Sequence, residues 1–119
     1  MDSNHLKSRT KAFSLEVLKF IEFLPRSTGG RAIGNQLVRS GTSVGANYRA
    51  VCRSRSRAEF IARMGVVEEE ADESAFWLEL ILESDLAPKE QATPLLKEAN
   101  ELVAIMAASR KSAKNGKGR

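Results

Sequence analysis

The fold is decided by the stretch Gln36–Arg49, QLVRSGTSVGANYR. The stretch stays in helical phase through Gly41 and Gly45, so we predict one unbroken helix that ends at about Cys52. A glycine inside a helix costs roughly 1 kcal/mol relative to alanine. The two glycines therefore predict a place where a neighbouring backbone approaches closely. The apolar face of this helix consists of Ile33, Leu37, Val44, Tyr48 and Val51.

Two other segments carry clear helical signals on either side of this stretch. Leu6–Leu24 has apolar residues at three- and four-residue spacing and ends at Pro25. Ser56 and Glu59 form a capping box, in which each side chain accepts from a free backbone amide of the first turn. This box predicts the start of a long helix over residues 57–84.

A last helical segment begins at the pair Thr93-Pro94, an N-cap followed by proline, and ends near Ser109. Short connections between consecutive helices favour antiparallel neighbours. We therefore predict an all-α fold, an up-down-up-down antiparallel four-helix bundle over residues 1–109. Residues 110–119 are rich in lysine and glycine and lack apolar periodicity, so we expect a disordered basic tail there.

The composition argues against several classes of site. The chain has 119 residues, which is room for one domain. It contains one cysteine, Cys52, and one histidine, His5, so it can form no internal disulfide and lacks the ligand pattern of a zinc or di-iron site. Ser40 and Thr42 are nucleophiles by type, but no histidine is in range to activate them. No apolar run approaches the ~20 residues of a membrane helix. We expect a cytoplasmic, non-enzymatic protein with no catalytic residue, metal, cofactor or membrane partner.

Positive charge is concentrated before the third predicted helix. Residues 26–63 contain eight arginines and one acidic residue, Glu59, and therefore have a net charge of +7. Residues 64–90 contain nine acidic residues and one lysine, Lys89, and have a net charge of −8. Arginine presents a planar fork of donors that matches phosphate or carboxylate. The candidate nucleic-acid-binding residues are the arginines around the turn between helices two and three: Arg49, Arg53, Arg55, Arg57 and Arg63.

The protein's own carboxylates are the alternative partners for these arginines. The acidic block Glu68–Glu73 is a candidate ion-pair partner, within one chain or between subunits. Glu59 is a local partner for Arg55 and Arg57, which lie at the positive end of the third helix's dipole. The basic tail is either an arm for polyanions or a solubilising end.

Pairing helices two and three around their turn also predicts a register. If these antiparallel helices pair about the turn Arg53–Arg57, facing residues have numbers that add to roughly 108, because each residue of both helices rises about 1.5 Å. This register places Arg39 close to Glu69, Glu70 or Glu73, which predicts that Arg39 is a structural ion-pair partner.

Three segments together resemble a known family. Gln36–Arg49, followed by Ser56–Ile61 and Glu70–Leu80, resembles the bacterial four-helix-bundle proteins related to those encoded in 23S rRNA intervening sequences. The resemblance implies a homopentamer, a ring with a central channel, and no known catalysis. This agrees with helix three, where Phe76 and Leu80 add more apolar surface than one bundle core needs. Distant relatives with this architecture are accessory proteins of diversity-generating retroelements, which engage nucleic acid and a reverse transcriptase through a basic surface.

The resemblance also implies roles for individual polar residues. Ala50 stands where many members have glutamate, and Glu69 where many have lysine, which leaves the turn more basic and helix three more acidic. The residues that match the family pattern imply a buried polar scaffold of the bundle: Arg39, Asn47, Glu70 and Glu73.

Two functional hypotheses follow from these observations. The first is a non-enzymatic homo-oligomer, a pentamer by the resemblance, that binds RNA or another polyanion through the arginine-rich turn. The alternative is a protein–protein interaction scaffold with no nucleic-acid ligand, in which the arginine and acidic blocks pair with each other.

Overall fold

The computed structural model describes residues 2–116, and within that range it contains helices and no strand. The helices are α1 (Ser3–Phe20), a 3-10 turn (Ile21–Phe23), α2 (Thr28–Val51), α3 (Arg57–Glu83) and α4 (Lys89–Lys114). They form one elongated body of 47 × 20 × 19 Å. The predicted all-α, four-helix fold is confirmed.

Side-chain caps start three of the four helices. Asp2, Ser27 and Ser56 each accept a hydrogen bond from the amide three residues later, at 2.8, 3.1 and 3.1 Å. Each cap satisfies an amide that has no partner inside the helix. The Ser56 cap confirms the predicted start of α3.

The start of α4 differs from the prediction. The helix begins at Lys89, directly after Pro88, and not at Thr93-Pro94. Pro94 removes one hydrogen-bond donor from the helix, but the preceding turn still packs because Ala92 is fully buried. The burial of this turn outweighs the lost hydrogen bond.

Gly41 and Gly45 of α2 lie where α1 crosses it. A Cβ atom at Gly41 would lie 2.7 Å from Val17 Cγ2, and one at Gly45 would lie 2.7 Å from Ser14 Oγ. Ser14 Oγ also donates to the Gly41 carbonyl at 2.8 Å. The predicted close backbone approach is confirmed, with α1 as the neighbour.

The packing of α2 on α3 departs from the register that the sequence predicts. The hydroxyls of Ser40 and Ser74 are fully buried and lie 2.8 Å apart, whereas the predicted register places a residue near 68 opposite Ser40. Arg63 Nη1 donates to the Ala50 carbonyl near the end of α2. The first turns of α3 therefore stand beyond the end of α2, by between one and two helical turns.

This overhang explains why α4 is longer than predicted. It continues to Lys114 and does not end near Ser109, and Ala113 in the added turn is buried. Just beyond it, a Cβ atom at Gly116 would lie 3.6 Å from Arg57 Nη1. The protruding start of α3 thus gives the end of α4 a surface to pack on. The predicted tail is helical up to Lys114, and residues 117–119 of it lie outside the described part of the chain.

Candidate nucleic-acid interface

The α2–α3 turn holds the candidate arginines at an exposed corner. The amides of Arg53 and Ser54 donate to the carbonyls of Ala50 and Val51, which closes the last turn of α2. The Arg55 amide donates to Glu59 Oε1 at 2.7 Å, which fixes the entry into α3. The corner protrudes because α3 overhangs α2. Four of the candidate residues are exposed on it: Arg49, Arg53, Arg55 and Arg57.

The guanidinium groups of these four arginines have no acidic partner in the part of the chain that the structure describes. Between residues 2 and 116, no carboxylate oxygen lies within the 4.0 Å of an ion pair from any of them. Arg55 and Arg57 also lie at the N-terminus of α3, where the helix dipole disfavours cations. Within residues 2–116, the corner therefore carries positive charge without an acidic partner and guanidinium donors without a carboxylate acceptor.

Arg63 behaves differently from the other four candidates. Its Nη1 donates to the Ala50 carbonyl at 2.7 Å, and its Nη2 lies 3.6 Å from Glu59 Oε2. Glu59 thus caps the amide of Arg55 with one oxygen and faces Arg63 with the other. Local compensation by Glu59 reaches Arg63 and not the side chains of Arg55 or Arg57. Arg63 joins α3 to α2, and among the contacts of residues 2–116 it is the sequence candidate whose guanidinium group bonds to the protein itself.

The end of α4 adds two cations to the same corner. Lys111 and Lys114 are exposed in its last turns, and the close approach of Gly116 to Arg57 brings this helix end to the turn. In the sequence these lysines belong to the segment whose composition predicts a disordered tail, so their place on α4 was missed. We define the basic end as these residues together with the four free arginines: Arg49, Arg53, Arg55, Arg57, Lys111 and Lys114.

None of the residues interpreted as a buried polar scaffold is fully buried: Arg39 is exposed, and Asn47, Glu70 and Glu73 are half-buried. Arg39 donates to Glu70 and Glu73, which confirms it as an ion-pair partner, but its side chain is 49% exposed. Trp77 Nε1 donates to Glu73 at 3.0 Å. Asn47 is half-buried and donates within its own helix, to the carbonyl and hydroxyl of Ser43. The fully buried polar side chains of the described residues are instead Thr10, Ser40 and Ser74, short side chains that fit between close backbones.

The Arg39–Glu73 pair predicts a pH-dependent contribution to stability. The hydrogen bond from Arg39 holds the pKa of the Glu73 carboxyl below its ordinary value of 4.5. Because the folded-state pKa is the lower one, the pair stabilises the fold above pH 4.5, and this contribution is lost as the pH falls through the folded-state pKa. We expect Glu73→Gln to be slightly less stable than wild type at pH 7 and the two to converge in acid.

Urea unfolding at a series of pH values measures this difference. Glu90→Gln, on the exposed first turn of α4, is a matched control without an ion pair among the described residues. A gap between Glu73→Gln and wild type that stays constant from neutral pH into acid contradicts the assignment.

Sequence reasoning missed the polar contact that joins α1 to α4. Arg9 Nε and Nη2 donate to the two carboxylate oxygens of Glu98 at 2.7 Å, and Nη2 also donates to Glu101. The hydrogen bonds that Arg9 donates to Glu98 raise the pKa of the guanidinium above its usual value. No local pattern signals this contact, because Arg9 and Glu98 are 89 residues apart in the chain. A groove of about 590 Å³ runs beside it, with Phe13 and Phe20 in its wall.

Other chemistry is absent from the described residues. Between residues 2 and 116, no three His, Cys, Asp or Glu side chains come together as they would to hold a metal ion. No described helix has the length and apolar character needed to cross a membrane. The basic end therefore remains the site with the most distinct chemistry.

Comparison with known proteins relates the chain to one family. The model of the family described as 23S rRNA-intervening sequence protein matches residues 3–108. The chain is also similar to a crystal structure from Bacteroides thetaiotaomicron, a protein of unknown function from the S23 ribosomal protein family. The two share 29% sequence identity and a TM-score of 0.83, over 93% of this chain and 99% of the other. None of the curated proteins matches. Since the family match spans all four helices, the chain belongs to the 23S rRNA-intervening sequence protein family.

Proposed function

We propose that this chain is a non-enzymatic, homo-oligomeric protein that binds the phosphate backbone of RNA through its basic end. The observation that carries the proposal is the set of free guanidinium groups on Arg49, Arg53, Arg55 and Arg57. Other arginines of the chain, such as Arg39 and Arg110, already hold carboxylates. A phosphate supplies to these four arginines the charge and the acceptor oxygens that residues 2–116 do not.

The chemistry of the basic end favours recognition of the backbone over recognition of bases. Proteins that select single-stranded bases stack them on exposed aromatic rings. Among the described residues of this corner, Tyr48 is 3% exposed and Phe60 is packed against the core, so neither offers a free ring face. Arginine and lysine on phosphates read charge and shape. We therefore expect binding that depends strongly on salt and weakly on base sequence.

We further propose that the helices alternate up and down and that copies assemble as a homopentamer. Short connections at residues 24–27, 52–56 and 84–88 and the contacts of α2 with α3 support the alternation. Exposed apolar side chains such as Leu15 and Phe76, at 50% and 49%, support assembly. A ring that presents five basic ends to one side binds a polyanion more tightly than one copy does.

The test of RNA binding is a triple substitution at the turn, Arg53→Ala, Arg55→Ala and Arg57→Ala. We expect the variant to bind structured RNA more weakly, with the slope of log affinity against log salt reduced by about 2 to 3, because three phosphate contacts are lost. Fluorescence anisotropy at several salt concentrations measures both quantities.

A matched control removes the same charge at the opposite end of the molecule. Arg26→Ala, Arg31→Ala and Lys89→Ala together change three exposed cations in the first loop and the first turns of α2 and α4. We expect this control to keep wild-type affinity and slope. Equal losses in the two triple variants would mean that net charge alone attracts RNA, and unchanged binding in the turn variant removes the turn from the interface.

The alternative function, a protein–protein scaffold without a nucleic-acid ligand, gives a different result in the same titration. The exposed apolar side chains favour it, since such surface marks protein contacts. In that case wild type fails to bind RNA even at low salt, while its assembly is unaffected.

A further inference from the structure

The outer surface of α3 carries an acidic face with an aromatic ring at its centre. Its residues follow each other at spacings of three and four along the helix, all are exposed, and Phe76 is 49% exposed. None of its carboxylates takes part in an ion pair within residues 2–116. We name this surface the acidic α3 face and define it by Glu69, Asp72, Phe76, Glu79 and Glu83.

The outer surface of α1 has the complementary composition. Leu15 and Leu18 are 50% and 44% exposed, and lysines flank them along the helix. One lysine, Lys19, lies 3.6 Å from Glu16 in an exposed ion pair within the same helix, and Glu22 follows at the end of the face. We name this surface the basic α1 face and define it by Lys7, Lys11, Leu15, Leu18 and Lys19.

The two faces lie on opposite sides of one molecule. Both α1 and α3 pack on α2 and on α4, which places them diagonally across the bundle. A single copy therefore cannot bring its own faces together, whereas two copies can. Contact of the acidic α3 face with another acidic α3 face would oppose carboxylates across the interface, and like charges are unfavourable there.

The heights of the two faces along the bundle axis also match. Ser14 of α1 contacts Gly41, and the preceding residue of α2, Ser40, contacts Ser74 of α3. Leu15 and Leu18 therefore lie at about the height of Phe76. Copies that join these faces need no shift along the axis, so a rotation of each copy relative to the last is enough for repeated contacts of this kind to close into a ring.

We infer that the acidic α3 face of one copy packs against the basic α1 face of the next, with Phe76 against Leu15 and Leu18. This inference rests on the homo-oligomer of the proposed function and assigns its interface. The contact is head to tail, so each copy uses both faces and the basic ends point in one direction. The apolar centre excludes water, and the flanking lysines and carboxylates select the neighbour and its orientation.

A charge-swap experiment tests the pairing. One double variant, Lys11→Glu with Lys19→Glu, makes the α1 face acidic, and a second, Asp72→Lys with Glu79→Lys, makes the α3 face basic. We expect light scattering to give a mass near 13.1 kDa, one subunit, for each double variant, and several subunits for wild type. The combined fourfold variant restores opposite charges across the contact and is expected to recover the wild-type mass.

The control is Glu90→Lys with Lys97→Glu, two positions of α4 outside both faces, which is expected to keep the wild-type mass. Far-UV circular dichroism shows whether each variant keeps its helices. Double variants that keep the wild-type mass, or a fourfold variant that stays at one subunit, overturn this interface. Wild type at one subunit overturns the assembly as well. RNA titration of wild type and the control reports on the basic end, and the one-subunit variants are expected to bind RNA more weakly because they present one basic end each.

Discussion

Gly41→Val is expected to lower the free energy of unfolding by about 1–3 kcal/mol, the usual cost of extra carbon atoms in a close-packed interior. A Cβ atom at this position would lie 2.7, 3.0 and 3.1 Å from the Cγ2, Cγ1 and Cβ atoms of Val17. Val17 is fully buried and β-branched, so its side chain has no free rotamer to move into. The strain must be relieved by moving α1 away from α2, which also stretches the hydrogen bond from Ser14 to the Gly41 carbonyl.

Gly29→Ala is the matched control for this prediction. It also replaces a helical glycine of α2, but no atom outside its own helix backbone lies within 4 Å of its Cβ position. We expect Gly29→Ala to stabilise the chain by about 0.4–1 kcal/mol, because alanine restricts the unfolded chain. Urea unfolding of both variants measures the contrast. A Gly41→Val chain as stable as wild type contradicts the close helix contact.

Gly41 and Gly45 show what the sequence could predict about the fold. An apolar stripe that stays in phase through Gly41 and Gly45 is a local pattern, and it correctly predicted both an unbroken α2 and a close neighbour. The Ser56 cap is equally local, since its acceptor and donor are three residues apart. Features of this kind follow from spacing along one helix.

The displacement of α3 along α2 could not be predicted in this way. Buried packing sets it, through the contact between Ser40 and Ser74, which are 34 residues apart in the chain. The length of α4 depends on that displacement, because the turn around Ala113 is buried only if α3 overhangs α2. An error of one or two turns in register therefore became an error in the end of another helix.

The candidate site was predictable to a similar degree. Arginines near the turn can be counted in the sequence, but hydrogen-bond geometry decides which of them the protein uses itself. Arg63 donates to the Ala50 carbonyl and pairs with Glu59, so its guanidinium group is already bonded within the protein. Arg57, six residues earlier, is exposed at the corner. Charge sums over segments cannot separate these two residues. The contact of Arg9 with Glu98 joins the first and last helices, and no short pattern contains both.

Two apolar residues of α3, Leu78 and Phe76, are expected to respond in opposite ways to truncation. Leu78 is fully buried in the bundle core, and Leu78→Ala is expected to cost about 2–5 kcal/mol of unfolding free energy, from lost burial and from the cavity left behind. The loss arises inside one copy. It therefore remains the same at every protein concentration, and the folded protein keeps the mass of wild type.

Phe76→Ala removes a larger side chain only two positions away, but one that is 49% exposed in the single chain. Its cost to the bundle itself is expected to stay within about 0.5 kcal/mol, as for other surface substitutions. If copies pack through Phe76, the variant loses the part of the stability that depends on concentration, because association stabilises only the folded state. Thermal unfolding over a hundredfold dilution, with light scattering at each concentration, separates the two effects. If the melting temperature of Phe76→Ala falls on dilution as that of wild type does, the side chain of Phe76 lies outside the subunit contact.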